Sequence, residues 1–305
     1  MSPIRILMFA LAAFAAYYLV VFARMVSRAK AENDDLKPSP ITMVTSFLAN
    51  FFDTLGIGSF ATTTAALRKF SLTPDEKLPG TLNVGYVLPT MLEAALLTSA
   101  IAVDPKTLIL MIVAAVLGAW LGAGIVSKWS RRRVQIGMGL ALIVLAGLMV
   151  QKAVAGNPAG GTTMGLEGTR LILGLAGNFV LGVLMTIGVG LYGPCMILIS
   201  MLGMNPIAAF PIMMGSCAFL MPIASGRFVK ERGIHVKSVI GLAFAGLPGV
   251  WIAAKWLTNF PITAVRWLVV VVVFYTAATL LLAARRERNA TIAEDAIAAE
   301  AGARA

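Results

Sequence analysis

Asp53 stands three residues ahead of Gly56-Ile57-Gly58 inside a hydrophobic stretch, and Ser59, Thr62, Thr63 and Thr64 follow at once. A carboxyl, two glycines and a run of hydroxyls are the parts needed to break a helix and begin another around a polar ligand. Glycine reaches backbone conformations closed to other residues. A helix that begins after Gly58 aims its first amide N–H groups and its positive dipole end at the break. In low dielectric such an end can replace much of the water around an oxyanion.

The glycine break recurs. A shift of 132 residues sets Thr54 on Thr186, Gly56 on Gly188, Gly58 on Gly190, Pro74 on Pro206 and Pro79 on Pro211. The second break, Gly188-Val189-Gly190, leads into Leu191, Tyr192 and Gly193. An isolated glycine more often serves close helix packing in membranes. Helices broken at corresponding places in two halves of a chain point instead to a binding site between the breaks. The residues expected to touch a ligand are therefore Gly56, Ile57, Gly58, Ser59 and Phe60 on one tip and Gly188, Val189, Gly190, Leu191, Tyr192 and Gly193 on the other.

An acid at membrane depth is a functional hypothesis by default. Asp53 is the candidate for a coupling proton, with a carboxylate capping a half-helix as the other reading; its equivalent by the shift is Met185. Glu93, opposite Ser225, reads as a structural pairing, and Asn50, Asn83 and Asn178 as interhelical glue. Cys195 and Cys217 read as small buried hydrophobes, and His235 as an exposed residue of a basic loop. No His/Asp/Glu cluster, Gly-x-Ser-x-Gly elbow or Cys/His pair is visible. No enzyme activity, cofactor or metal is expected.

These residues must be held by membrane helices. Hydrophobic residues make up 59% of the chain and charged ones 13%, with mean hydropathy +0.87; soluble domains carry about a quarter charged residues. Apolar stretches lie at 4–26, 41–70, 79–101, 106–127, 134–154, 170–203, 205–226, 238–256 and 263–284. Most have the roughly 20 residues that cross a bilayer core. In the first stretch only Arg5 precedes the apolar run, while Arg24, Arg28 and Lys30 follow it. A signal peptide has the reverse order, so a retained helix with its N-terminus outside is expected.

The net charge of +11 reads as loop charge that sets topology, not as a nucleic-acid surface. If every stretch crosses fully, the 25 Lys and Arg divide 10 against 15 between the two sides. If the two broken stretches enter and leave on one side, 19 fall inside and 6 outside: Arg5, Lys106, Lys152, Arg170, Lys255 and Arg266. The second arrangement obeys the positive-inside rule far better.

The expected architecture is an all-α integral membrane protein. Each repeat has one re-entrant broken-helix hairpin and three transmembrane helices. Three crossings is an odd number, so the second repeat is inverted relative to the first. The divisions are 1–30 (N-terminal transmembrane helix), 31–40 (linker), 41–154 (first repeat), 155–169 (linker), 170–284 (second repeat) and 285–305 (polar cytoplasmic tail). Gly122 to Trp129 (GAGIVSKW) also matches Gly249 to Trp256 (GVWIAAKW) at a shift of 127. Trp beside Lys there reads as an interfacial anchor.

Paired Gly-x-Gly breaks, each followed by a short helix, a proline-marked turn and three spans, resemble the TauE/SafE family of sulfite exporters, also called the toluene-sulfonate uptake permease family. The resemblance covers residues 41–284. The family motif is Gly-x-Gly-Gly-Gly before a hydrophobic run and proline. Gly188-Val189-Gly190-Leu191-Tyr192-Gly193-Pro194 is a loose version, and Gly56-Ile57-Gly58-Ser59-Phe60 lacks the third glycine. The resemblance implies a cell-membrane secondary transporter for a small sulfur-containing or carboxylate anion, with export ahead of import as the direction. The alternatives are an importer of a related small organic anion and, behind it, an intramembrane enzyme; an assembly protein would have no need of paired breaks.

Overall fold

Pro40 stands at the first position of one helix and Gly56 just past its end, and these two residues set the length of the first half-helix. Proline has no N–H to lose in a first turn, and glycine accepts the left-handed backbone beyond a last one. The computed structural model describes residues 2–126, 131–154, 160–185 and 191–303. The helices are α1 (Pro3–Ala31), α2 (Pro40–Thr54), α3 (Ser59–Lys69), α4 (Leu78–Gly85), α5 (Val87–Ala100), α6 (Pro105–Val126) and α7 (Arg131–Val154). The second half adds α8 (Gly168–Met185), α9 (Tyr192–Met201), α10 (Ala209–Lys230), α11 (Val236–Thr258) and α12 (Ile262–Ala303). There is no strand among the described residues, and a lone bridge joins Thr163 to Met204.

Among the described residues, five helical segments are long and apolar enough to cross a membrane: Pro3–Ala31, Gly168–Met185, Pro206–Lys230, Val236–Thr258 and Thr263–Arg286. The most apolar window of α1 is 17% buried and that of the Pro206–Lys230 segment 78%. α1 therefore lies on the outside and α10 runs through the middle. α1 is fastened by the Tyr18 hydroxyl, which donates to the Val84 carbonyl at 2.7 Å, and by Phe14 edge-on to Phe219. α2, α3 and α9 have 15, 11 and 10 residues. At 1.5 Å per residue they reach roughly 22, 16 and 15 Å, short of a core of about 30 Å. α8 differs from its expected half length: it begins at Gly168 and its 18 residues reach roughly 27 Å.

Both short helices that leave a break end alike. The Ser71 amide donates to Arg68 and the Leu72 amide to Leu67; the Gly203 amide donates to Ser200 and the Met204 amide to Ile199. That pair of bonds closes a helix around a left-handed residue. Ser71 (φ 51°) and Gly203 (φ 85°) are those residues, and they are equivalent under the 132-residue shift. Each is followed by proline and a short 3-10 turn, Asp75–Lys77 or Pro206–Ala208.

The halves grip each other reciprocally. Ser46 Oγ of α2 donates to the Leu242 carbonyl of α11 at 2.7 Å, and Asn178 Nδ2 of α8 donates to the Met111 carbonyl of α6 at 2.7 Å. A Cβ on Gly249 would lie 2.3 Å from the Phe47 carbonyl oxygen, and one on Gly118 would lie 2.0 Å from that of Phe179. Ser46 and Asn178, like Phe47 and Phe179, are 132 residues apart; Met111 and Leu242, like Gly118 and Gly249, are 131 apart. The contacts thus set α6 and α11 one helical turn away from the 127-residue match. An interhelical hydrogen bond in a membrane averages about 0.6 kcal/mol, so the backbone approach allowed by the glycines carries most of this packing.

The chain on either side of α2–α3 returns to one place. Before α2, Asp35 pairs with Lys237 and Glu32 with Arg232. After α3, Thr73 Oγ1 lies 2.8 Å from Ser238 Oγ, and Thr81 accepts from the His235 amide at 2.8 Å. All four partners lie in the turn between α10 and α11 or in the first turn of α11. The chain around α8–α9 behaves likewise: the Gly161 amide donates to Met204, Asn205 to Thr163, and Asp104 to Met164. That cluster surrounds the turn between α5 and α6.

One expectation needs correction. His235 is half-buried, with its ring nitrogen 2.9 Å from Ser238, because it begins α11 where three loops meet. The stretch after Arg285 continues α12 as helix to Ala303, as its Ala- and Glu-rich composition favours. Lys128 and Trp129 lie outside the described residues.

Candidate functional site

The first break is built by α2 closing and α3 opening within four residues. The Gly56 amide donates to the Asp53 carbonyl at 2.7 Å and the Ile57 amide to Phe52 at 3.0 Å, which closes α2. Gly56 has φ 94° and Gly58 φ 80°, both in the region that favours glycine. Gly58 then caps α3. The two glycines turn the chain so that the first amide of α3 faces the last turn of α2.

Asp53 occupies that junction. Its Oδ1 accepts from the Ser59 amide at 2.6 Å, and its Oδ2 accepts from the Tyr192 hydroxyl at 3.3 Å. Asp53 and Ser59 are each 3% exposed. An anion at a helix N-terminus is favoured by the amide and by the dipole. The place expected for an external oxyanion is therefore already taken by a carboxyl group supplied by the chain. Tyr192 is the first residue of α9, so both halves contribute to it.

The other expected residues divide. A Cβ on Gly56 would lie 2.2 Å from Met196 Cε of α9, so the first break packs directly on the second half. A Cβ on Gly58 would meet none of the described residues within 4 Å. Ile57 is half-buried, Leu191 buried and Phe60 40% exposed, its ring 5.9 Å from that of Tyr86. Gly193 turns away, since a Cβ there would lie 2.5 Å from Thr276 Oγ1 of α12. Gly188, Val189 and Gly190 lie outside the described residues.

A second polar layer lies beside the tip. Thr54 Oγ1 is 2.8 Å from both Glu93 Oε1 and the Asn50 carbonyl. Asn50 Nδ2 donates to the Ser46 carbonyl at 2.8 Å. Thr63 and the Tyr86 hydroxyl share a hydrogen bond. All of these residues are buried. Glu93 Oε2 and Asn50 Oδ1 have no hydrogen-bond partner among the described residues. Tyr86 was not foreseen. Its only sequence signal is a phenol in a buried apolar run, one turn before Thr90. Cys195 and Cys217 are buried free thiols, and Cys217 Sγ sits 3.9 Å from the sulfur of Met185, the equivalent of Asp53.

Large apolar side chains are exposed along the helices, including Phe9, Leu19 and Val20 on α1, Trp120 and Leu121 on α6, and Ile172 and Leu173 on α8. Apolar surface on this scale belongs in lipid. With five helices able to span, the chain is a multi-pass membrane protein. No curated protein and no solved structure matches it. A family match does exist, and it takes in α1, which the sequence resemblance leaves out, and stops inside α7: the model of the family described as sulfite exporter TauE/SafE matches residues 2–149.

Proposed function

We propose that the chain is a member of the TauE/SafE family and a secondary transporter that exports a small sulfur-containing anion, sulfite or an organosulfonate. The anion binds near mid-membrane between the tips, at Gly56–Phe60 and the start of α9. The observation that carries this reading is the Asp53 carboxylate held by the Ser59 amide and the Tyr192 hydroxyl. A carboxylate and a sulfite share the same need: oxygen atoms met by donors in place of water. A tip that satisfies one suits the other, and no described residue stands within 4 Å of a Cβ placed at Gly58.

The membrane arrangement that goes with this function is an inverted repeat. The return of both flanks of α2–α3 to the α10–α11 turn supports a re-entrant hairpin, and the flanks of α8–α9 at the α5–α6 turn support its inverted counterpart. The first base carries Lys37, Arg68, Lys77, Lys230, Arg232 and Lys237, so it lies in the cytoplasm. The N-terminus is then outside and the C-terminus inside. A monovalent anion leaving a negative interior gains about 2.3 kcal/mol per 100 mV, which alone can drive export. Efflux of radiolabelled sulfite and of small sulfonates from proteoliposomes tests the reading. Saturable efflux that follows an imposed potential supports it, and passive leak alone overturns it.

A further inference from the structure

The Thr54 hydroxyl has one hydrogen and two neighbours at 2.8 Å, the Asn50 carbonyl and Glu93 Oε1. A carbonyl only accepts, and so does an ionised carboxylate. One hydrogen cannot serve both. If Glu93 carries a proton on Oε1, that proton is donated to Thr54, whose own hydrogen goes to Asn50, and both contacts are satisfied. Glu93 Oε2 supports the same assignment: it is buried, in a residue 0% exposed, and has no donor among the described residues. An ionised carboxylate in that position would have an oxygen without compensation. Asp53 differs at each point, with a donor on each oxygen and a helix N-terminus beside it.

We propose that Glu93 is the proton-binding residue of this transporter, held as a neutral acid on Thr54 while Asp53 is ionised at the α3 N-terminus. This rests on the transport reading above and moves the coupling proton one residue pair away from Asp53. The step is a simple dissociation. Glu93 Oε1 gives its proton to water when the tip opens, the Thr54 hydroxyl turns from Asn50 to the new carboxylate, and the reverse follows on the other side. The titratable groups whose charges reach Glu93 are Asp53 on α2, Tyr192 on α9 and Cys217 on α10. On α1, Tyr18 is committed to the Val84 carbonyl.

The test is infrared spectroscopy of the full-length protein in lipid at neutral pH, with Glu93→Gln and Asp53→Asn as variants. The wild type should show a carboxylic-acid C=O band that shifts in heavy water, disappears in Glu93→Gln and persists in Asp53→Asn. No such band, or one that survives Glu93→Gln, overturns the proposal. In proteoliposomes, an imposed pH gradient should accelerate sulfite movement in the wild type and not in Glu93→Gln; an unchanged response in that variant also overturns it. Glutamine keeps an N–H for Thr54, so a single monodisperse peak confirms the fold is intact. A wild-type band without any sulfite flux would leave the protonated Glu93 standing and overturn the transport reading instead.

Discussion

The Ser59 amide donates to the Asp53 carboxylate across 2.6 Å, six residues along the chain, because two left-handed glycines fold the start of α3 back onto the end of α2. The same bond that stabilises the break fills it with negative charge. An external anion must therefore displace Asp53 or share its donors. Asp53→Ala should bind sulfite more tightly than the wild type while lowering stability by about 1–2 kcal/mol through loss of the cap. Equilibrium binding and thermal melting read the two effects. Weaker binding in Asp53→Ala would show that the carboxylate assists the anion and does not compete with it.

Gly56 and Gly58 should respond differently to substitution. Gly56→Ala places a Cβ at φ 94° against Met196, whose flexible end can yield, so backbone strain dominates at about 1–3 kcal/mol. Gly58→Leu meets no described residue but carries backbone strain of about 1–3 kcal/mol at φ 80°, and it should abolish efflux by covering the tip while melting no lower than Gly56→Ala. Efflux at the wild-type apparent affinity in Gly58→Leu would place the site elsewhere.

Gly118 and Gly249 should be the most sensitive packing positions. A side chain at either meets a carbonyl oxygen of the opposite half, at 2.0 or 2.3 Å, and backbone cannot move aside cheaply. Gly118→Val and Gly249→Val should cost several kcal/mol each, whereas Gly147→Ala, with no described residue within 4 Å, should be close to neutral. Melting temperatures in one detergent check the contrast.

The membrane arrangement has its own test. Cysteines placed at Lys77, Arg132 and Lys230 should react with an impermeant reagent from one side, and a cysteine at Lys106 from the other. Opposite accessibility of Lys77 and Arg132 contradicts the re-entrant hairpin.

His235 should give the three-loop junction a pH dependence. Burial first, then the nearby Lys77 and Lys237 charges, hold its imidazolium below the usual histidine range, while Asp34 acts in the opposite direction. In that window the unfolded chain binds more protons, so stability is full above about pH 6.5 and falls as pH drops toward the lowered value. His235→Gln should flatten thermal stability between pH 5 and pH 7, measured as melting temperature.

The breaks were legible because glycine and proline act through the backbone, and backbone effects repeat at fixed spacing. Ser71 and Gly203, like Pro74 and Pro206, sit where the 132-residue shift puts them, while Gly188, the equivalent of Gly56, lies outside the described residues. The α6–α11 equivalence was misplaced by one turn because Gly, Ala and Val recur so often in spans that identities align at neighbouring turns. Asp53 was legible as an acid at the tip. Its partners were not, because Tyr192 comes from the other half of the chain. Glu93 looked like a structural pairing, and only its single contact to Thr54 and its unmatched Oε2 mark it as a proton site.

The central claim is that the first amide of α3 holds the transported anion, and Ser59 allows that amide to be deleted alone. Ser59 is the first helical residue after Gly58, a position where proline is well accommodated. Ser59→Pro removes the N–H and keeps the helix; Ser59→Ala removes the hydroxyl and keeps the N–H. A lost charge-assisted hydrogen bond costs about 1.5–3 kcal/mol, or about 10- to 100-fold in affinity. Concentration-dependent sulfite efflux from proteoliposomes should show that loss in Ser59→Pro and near wild-type behaviour in Ser59→Ala. Equal apparent affinities in the two variants would contradict the account.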